Sequence, residues 1–183
     1  SMLPFMQVLD DFDPTDIIIF PGRYGNAGIL SNLSNYEGKI HIDMNYDCDD
    51  ILDLDTIKIQ TVFLSTSSTS FEEFFKEISY DNLIKYFDKK NVSQLLIKEN
   101  RGGSWIYDFK EKTSYEAPAH IGEIIHSVGV GDVYDIAFMS EMVGTNIAGN
   151  MAFAAWMSSL YAQTIQQEKF KENVELIVQN IED

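Results

Sequence analysis

A short polar turn that runs into an apolar stretch is the part of this sequence that could best do chemistry. Residues 126–138 read HSVGVGDVYDIAF, with Gly129 and Gly131 on either side of a valine and Asp132 directly after them. Glycines let a backbone approach a ligand closely, and the first N–H groups of a helix attract anions. An aspartate at that point can take a proton from a hydroxyl that attacks a phosphate. The turn predicts phosphoryl transfer, although a glycine turn with an Asp helix cap and no chemistry fits the same residues.

The strands that must position this turn are visible as short apolar runs. A continuous apolar run predicts a buried strand at 17–20, and further strands are predicted at 39–44, 61–65 and 93–98. Alternating patterns at 105–109 and 113–116 predict antiparallel edge strands. Helical spacing between the runs predicts helices at 6–12, 26–36, 70–78 and 81–88. Strands and helices that alternate in this way predict an α/β domain with a mostly parallel sheet and helices on both faces, whose ligands bind beyond the carboxyl ends of the strands.

The last third of the chain carries apolar residues at helical spacing. It predicts helices over 129–143, 146–164 and 168–181, with Gly144 between the first two. Upstream, Asp81 is expected to cap the helix at 81–88. The final helix has an apolar face that either docks on the domain or pairs with a second copy, so a homodimer is one prediction.

Four segments carry a resemblance to a known family. Gly129, Val130, Gly131 and Asp132 resemble the Gly-Ala-Gly-Asp core of the second signature of the PfkB/ribokinase family of carbohydrate and nucleoside kinases, and Phe138 resembles the aromatic that ends it. Residues 95–108 resemble the strand–turn–strand hairpin that helps hold the nucleotide phosphates in that family. Residues 17–22 and 40–45 resemble two successive family strands with the loops that follow them. These motifs run in order from about residue 16 to about residue 162, and they imply a ribokinase-like three-layer α/β/α fold.

The resemblance also implies an activity and its residues. It implies ATP-dependent phosphotransfer to a hydroxyl of a sugar or nucleoside, with Mg²⁺ as the metal that accompanies ATP and Asp132 as the catalytic residue. The implied phosphate-binding and anion-hole set consists of Gly129, Val130, Gly131, Asn100, Arg101, Gly102, Gly103 and Lys98. Weaker candidates on the nucleotide side are His126, Asn146 and Asn150. No protein ligand for a metal is assigned.

The sequence departs from the family pattern at several of these positions. His126 stands where the signature usually has Asp, Val130 replaces a smaller residue, and Asn100 stands where the phosphate turn usually has glycine. The family's Asn-x-x-Glu element, which helps organise magnesium and phosphates, corresponds here to residues 64–70, which contain no carboxylate. A diverged kinase and a non-catalytic, kinase-like binding or regulatory protein both fit these departures.

Chain length bears on how much of the family's fold is present. The chain has 183 residues, and the family's kinases are considerably longer. Their first segment carries a Gly-Gly substrate motif and a small β-sheet lid, and nothing in this sequence matches it. We therefore expect one α/β domain over residues 1–183, with a terminal helix at 166–183. It would be the C-terminal, nucleotide-side part of a larger kinase, without the N-terminal part and lid and inactive alone.

The amino-acid composition limits the classes of binding partner that are expected. The 29 acidic side chains against 13 Lys and Arg give a net charge of −16, which disfavours nucleic acid and anionic membranes as partners. The single cysteine excludes an internal disulfide, and no apolar run has the length of a membrane helix. A cytoplasmic protein is the expectation.

A second acidic cluster offers a different chemistry. Asp43, Asn45, Asp49 and Asp50 are spaced much like the Asp cluster by which nucleoside hydrolases hold calcium. Carboxylates at this spacing could bind a hard cation. A metal-dependent nucleoside hydrolase-like protein therefore stays open as the less favoured alternative, beside a plain solvated acidic loop.

Overall fold

The sheet organises the fold. A computed structural model describes residues 16–20, 30–44, 57–67, 79–99, 103–120, 122–164 and 167–182. Within them, six strands form one sheet in chain order: β1 (Ile17–Ile19), β2 (Ile40–Asp43), β3 (Ile59–Ser65), β4 (Val92–Lys98), β5 (Ser104–Asp108) and β6 (Thr113–Ala117). Each corresponds to a predicted strand, with ends that differ by two residues at most.

The direction of the strands confirms the predicted mostly parallel sheet with an antiparallel edge. β1 pairs with β2, and β2 with β3, in parallel, with Ile17 opposite Ile40 and His41 opposite Thr61. β4, β5 and β6 are neighbours in the sheet and are joined by short connections. Connections of this length join antiparallel strands, because parallel neighbours need a much longer crossover.

Burial along β4 shows that the sheet is covered on both faces. Leu95, Leu96 and Ile97 are consecutive and fully buried. Successive side chains of a strand point to opposite faces, so neither face of β4 meets solvent at this point. Runs of this kind are typical of parallel sheets inside α/β proteins.

The described helices are α1 (Tyr80–Phe87), α2 (Val130–Met139), α3 (Ile147–Ala162) and α4 (Gln167–Glu182), with a 3₁₀ turn at Leu30–Leu33. α3 and α4 match their predicted ranges closely. Residues 30–36 of the helix predicted at 26–36 are described, and they form only this 3₁₀ turn, which ends at Leu33, three residues before the predicted end. The helices predicted at 6–12 and 70–78 lie outside the described residues.

Two further helix predictions were wrong in detail. The cap of α1 is Ser79, whose Oγ accepts from the Asn82 N–H at 3.2 Å, while Asp81 lies in the first turn. α2 ends at Met139, four residues before the predicted end, because Glu141 adopts φ 49° and Gly144 adopts φ 68°. Left-handed residues break the helix even though the apolar spacing continues to Val143.

Contacts divide the chain into two units. The first comprises residues 1–97 with 106–114, and the second residues 98–105 with 115–183. All the described residues predicted for the kinase site belong to the second unit, whereas Asp43 of the acidic cluster belongs to the first. None of the helices in the described ranges combines the length and the apolarity of a membrane-spanning segment.

Candidate functional site

The start of α2 leaves backbone N–H groups ahead of its hydrogen-bond ladder. Gly129 is the N-cap, and the Val133 N–H donates to the Gly129 carbonyl at 3.0 Å as the first regular helical bond. The Val130 N–H donates to the Ser127 carbonyl in a long bond of 3.4 Å. The N–H groups of Gly131 and Asp132 therefore lie in the first turn, where a helix offers donors and partial positive charge to an anion.

Gly129 is required at the N-cap for two reasons. Its φ of 79° lies in the left-handed region, which strains residues with a side chain. A Cβ at this position would also lie 3.3 Å from the hydroxyl of Tyr161 on α3. The turn thus depends on glycine both for its backbone angle and for its packing.

Asp132 is the acid of this turn. It is exposed in the first turn of α2, beside the same N–H groups. Its side chain is thus accessible to an approaching hydroxyl, as a general base must be.

Lys98, the last residue of β4, lies beneath the turn in a buried ion pair. Its Nζ is 2.7 Å from Oδ1 of Asp135, and the two side chains are 10% and 0% exposed. The same Nζ lies 3.5 Å from the Gly131 carbonyl oxygen. The lysine that the resemblance assigns to phosphate is therefore held against an acid of α2.

Tyr134 makes a second buried link, which joins α2 to the neighbouring strand β5. Its hydroxyl donates to Oγ of Ser104, the first residue of β5, at 2.6 Å. Burial raises the pKa of Tyr134 well above its ordinary value, and the hydrogen bond with Ser104 offsets part of that rise. The phenol therefore stays protonated at physiological pH and acts as a donor.

Gly103 has a packing reason to be glycine. Its φ is 99°, and a Cβ there would collide with the Ala117 carbonyl oxygen and lie 2.9 Å from the Ala119 nitrogen. The Gly103 carbonyl accepts from the Glu99 N–H at 2.8 Å, which brings the ends of β4 and β5 together. Burial, and secondly the charge of Glu116, raise the pKa of Glu99. Asn100, Arg101 and Gly102 lie outside the described residues.

His126 packs against the end of α3. Its Nε2 lies 3.0 Å from the Thr164 carbonyl oxygen, and its ring meets that of Tyr161 edge to face at 4.8 Å between centroids. Tyr161 in turn contacts Phe170 at 5.1 Å. These contacts give His126 a structural task in holding the segment before the glycine turn.

Asn146 and Asn150 organise the link between α2 and α3. Asn146 caps α3, and its side chain accepts from the Gly149 N–H at 2.9 Å. Asn150 is buried, with Oδ1 accepting from the Val143 N–H at 3.2 Å and Nδ2 donating to the Gly144 carbonyl at 2.8 Å. A nucleotide contact by either residue stays a prediction, since these amide groups already have protein partners.

The structure thus brings the Lys98 ammonium next to Gly131, and Asp132 directly follows Gly131 in α2. It also reveals Ser104, Tyr134 and Asp135, which sequence reasoning missed. One signal could have revealed Asp135: it is an acid three residues after Asp132, inside an otherwise apolar helical run, and such an acid needs a partner if it is buried.

The described residues offer no ready metal site. They contain no group of three or more His, Cys, Asp or Glu that could hold an ion. Asp43 is buried in β2, and Asn45, Asp49 and Asp50 of the acidic cluster lie outside the described residues. In the region matching the Asn-x-x-Glu element, Ser65 and Ser67 share an exposed hydrogen bond of 2.8 Å between their hydroxyls.

Comparison with known proteins places the fold. The sequence matches no family model and no curated protein. Among solved structures, the ribokinase of Arabidopsis thaliana complexed with ribose and ATP is 18% identical with a TM-score of 0.62, and the match covers 77% of this chain and 46% of that one. A putative ribokinase II from E. coli is 13% identical with a TM-score of 0.68, over 92% of this chain and 61% of that one.

A third neighbour is the aminoimidazole riboside kinase of Salmonella enterica, complexed with its riboside and an ATP analog. It is 11% identical with a TM-score of 0.65, over 88% of this chain and 62% of that one. The chain therefore has a ribokinase-like fold, which confirms the fold that its motifs predict. It spans between about half and three fifths of the length of these neighbours.

Proposed function

We propose that this chain is the nucleotide-binding side of an ATP-dependent kinase that phosphorylates a hydroxyl of a sugar or nucleoside. One observation carries the proposal: an exposed Asp132 directly follows a glycine turn that opens α2 and leaves the Gly131 and Asp132 N–H groups ahead of the helical bonds. The fold supports it, because neighbours with this fold include a ribokinase with ribose and ATP and a riboside kinase with an ATP analog.

The chemistry at the turn follows from positions and charge. The Gly131 and Asp132 N–H groups donate to the oxygens of the transferred phosphoryl group, where the helix dipole stabilises the developing negative charge. The oxygen of the acceptor hydroxyl forms a bond to the γ-phosphorus of ATP while the bond between that phosphorus and ADP breaks. Asp132 takes the proton that the hydroxyl releases. Val130 contributes less than its neighbours, because its N–H is shared with Ser127. Arg101 and Gly102 stay proposed phosphate contacts through the hairpin turn.

Magnesium enters this proposal only with ATP. Mg²⁺ would neutralise charge on the phosphates when it is bound. Asp132 is the acidic side chain at the turn, and no carboxylate stands in the region that matches the Asn-x-x-Glu element. We therefore assign no protein ligand to Mg²⁺ and no step of the reaction to it.

The acceptor side belongs to the part of the fold that this chain does not span. The match covers 46% to 62% of the neighbours named above. We propose that acceptor contacts and the exclusion of water come from that remainder, so these 183 residues alone should show little or no turnover.

A non-catalytic nucleotide-binding protein is the second candidate. The Lys98–Asp135 ion pair favours it, because it neutralises an ammonium group that lies 3.5 Å from the Gly131 carbonyl oxygen and so weakens the attraction for phosphate. Transfer of phosphate by the complete protein separates the two candidates, since a binding protein would hold ATP without consuming it.

Calorimetric titration with a non-hydrolysable ATP analogue tests the proposed site. The chain should bind the analogue, and Gly131→Val should weaken binding strongly, because a β-branched side chain crowds the anion turn, although its Cβ would be in ordinary contact with the Lys98 ammonium at 3.4 Å. Ala148→Val is the matched control, since it adds the same side chain to an exposed helix position. An unliganded wild type, or equal binding by Gly131→Val, would contradict the proposal.

A further inference from the structure

We infer that Asp135 sets the phosphate affinity of the glycine turn by cancelling the charge of Lys98. The inference rests on the proposed function, because it assumes that phosphate binds at the start of α2. It differs from the role that the resemblance assigns to Lys98, which is a direct charge on the phosphates.

The positions of the charged atoms support this inference. The Lys98 Nζ lies 3.5 Å from the Gly131 carbonyl oxygen and 3.4 Å from where a Cβ of Gly131 would stand. The ammonium is therefore directly beneath the residue whose N–H is proposed to hold phosphate. Oδ1 of Asp135 is closer still to that ammonium, at 2.7 Å.

Burial makes this charge balance matter. Lys98 and Asp135 are 10% and 0% exposed, so water and salt screen them far less than they screen a surface pair. One uncompensated charge a few ångströms from a bound anion changes affinity by about tenfold or more at the effective dielectric of a protein. The Lys98–Asp135 pair carries no net charge and acts on the anion only as a weak dipole. The turn then attracts phosphate only through its N–H groups and the dipole of α2.

Asp135 is a fully buried acid whose Oδ1 is paired with the ammonium of Lys98. It stands in an otherwise apolar helical run, where Tyr134, Ala137 and Phe138 are also buried. A buried carboxylate is costly without a positive partner, and neutral residues often replace such pairs without loss of stability. The pair is thus better explained by its effect on the turn than by the stability of α2.

Three interpretations of the pair predict different results. If Asp135 cancels Lys98, removal of Asp135 alone strengthens anion binding and removal of both charges leaves it nearly unchanged. If the Lys98 ammonium instead breaks its pair with Asp135 and contacts the phosphate directly, removal of both charges weakens phosphate binding strongly. A pair that only stabilises the fold would weaken the binding of every ligand in both variants.

The test compares wild type, Asp135→Asn, Lys98→Met and the double variant in the 183-residue chain. Each is titrated calorimetrically with a non-hydrolysable ATP analogue, with inorganic tripolyphosphate and with adenosine, which lacks phosphate. We expect Asp135→Asn to bind the two phosphate probes at least about tenfold more tightly, and Lys98→Met at least about tenfold more weakly. The double variant should stay within about threefold of wild type, and adenosine affinity should not change.

The outcomes separate this inference from the proposed function. If wild type binds the ATP analogue and Asp135→Asn binds no more tightly, the inference is wrong while the proposed function stands. If wild type binds no phosphate probe but Asp135→Asn binds tripolyphosphate, the masking role holds and nucleotide binding by the natural chain is wrong. No binding by any variant overturns both.

Folding of the variants does not leave the question open. Asp135→Asn removes the buried carboxylate that pairs with Lys98, and loss of one partner of a buried pair can unfold a protein. The double variant removes both charges of the pair, and its phosphate affinity decides the question without the single variants. Phosphate affinity near that of wild type supports masking, and a loss of about tenfold or more shows that Lys98 itself attracts the phosphates.

Discussion

The hydroxyl of Tyr134 donates to Oγ of Ser104 at 2.6 Å, and the next residue of α2, Asp135, pairs with Lys98. Lys98 ends β4 and Ser104 begins β5, so consecutive residues of α2 are tied to the two ends of one hairpin connection. Both ties are buried within the second unit of the chain. They fix the start of α2 against the connection that the family resemblance assigns to phosphate.

The Tyr134–Ser104 hydrogen bond should contribute measurably to stability. Tyr134→Phe keeps the ring but leaves the buried Ser104 hydroxyl without its donor, which typically costs about 1–3 kcal/mol. Chemical denaturation should show this loss in the free energy of unfolding. Tyr115→Phe, at an exposed position in β6, is the control and should change stability by less than about 0.5 kcal/mol.

The raised pKa of Tyr134 predicts how stability depends on alkaline pH. The unfolded chain releases the phenolic proton near pH 10, whereas burial keeps the folded state protonated above that value. The folded state then binds more protons, so this group's contribution is complete below about pH 10 and is lost as pH rises further. Wild type should therefore lose stability above pH 10 more steeply than Tyr134→Phe. Parallel curves for the two proteins would contradict the buried, protonated phenol.

Gly129 and Gly144 provide a matched pair for the glycine turn. Both have positive φ, 79° and 68°, so alanine should strain each by about 1 kcal/mol. A Cβ at Gly129 also approaches Tyr161, whereas nothing lies within 4 Å of one at Gly144. Both variants should be less stable, but only Gly129→Ala should weaken binding of an ATP analogue. Equal affinities in the two variants would count against an anion site at this turn.

Asp132 should be the residue whose loss affects turnover most cleanly. Removal of a general base typically costs about 10²–10⁴ in rate, so under the proposed function Asp132→Asn should lower the kcat of phosphate transfer by at least that order. ATP affinity should stay nearly intact, because the N–H groups remain. Asp81→Asn removes an exposed acid from the first turn of α1 and is the matched control. Near-normal turnover by Asp132→Asn would favour the non-catalytic candidate.

The sequence predicted much of the sheet because burial leaves a local record. Leu95, Leu96 and Ile97 form a continuous apolar run, and a strand covered on both faces requires such a run wherever its neighbours lie. The glycine turn was also predictable. Gly129 adopts a positive φ, and the residue type that favours this backbone angle is visible at that position of the sequence.

The end of α2 and the buried ties could not be predicted in the same way. Apolar spacing continues through Val143, but the helix stops because the backbone turns at Glu141, and spacing records side chains rather than backbone angles. Lys98 and Asp135 are 37 positions apart, and Ser104 and Tyr134 are 30 apart. Their pairing depends on how α2 packs in the folded chain, which no local pattern encodes.

Nuclear magnetic resonance of the ¹⁵N-labelled chain tests the central claim most directly, because it observes the proposed donors themselves. On titration with a non-hydrolysable ATP analogue, the amide signals of Gly131 and Asp132 should move most among the residues of α2. The amides of Asn82 and Leu83, in the first turn of α1, serve as the control and should not move. If the analogue binds while the Gly131 and Asp132 signals stay in place, or if no signal moves at saturating concentration, the start of α2 is not a nucleotide-phosphate site.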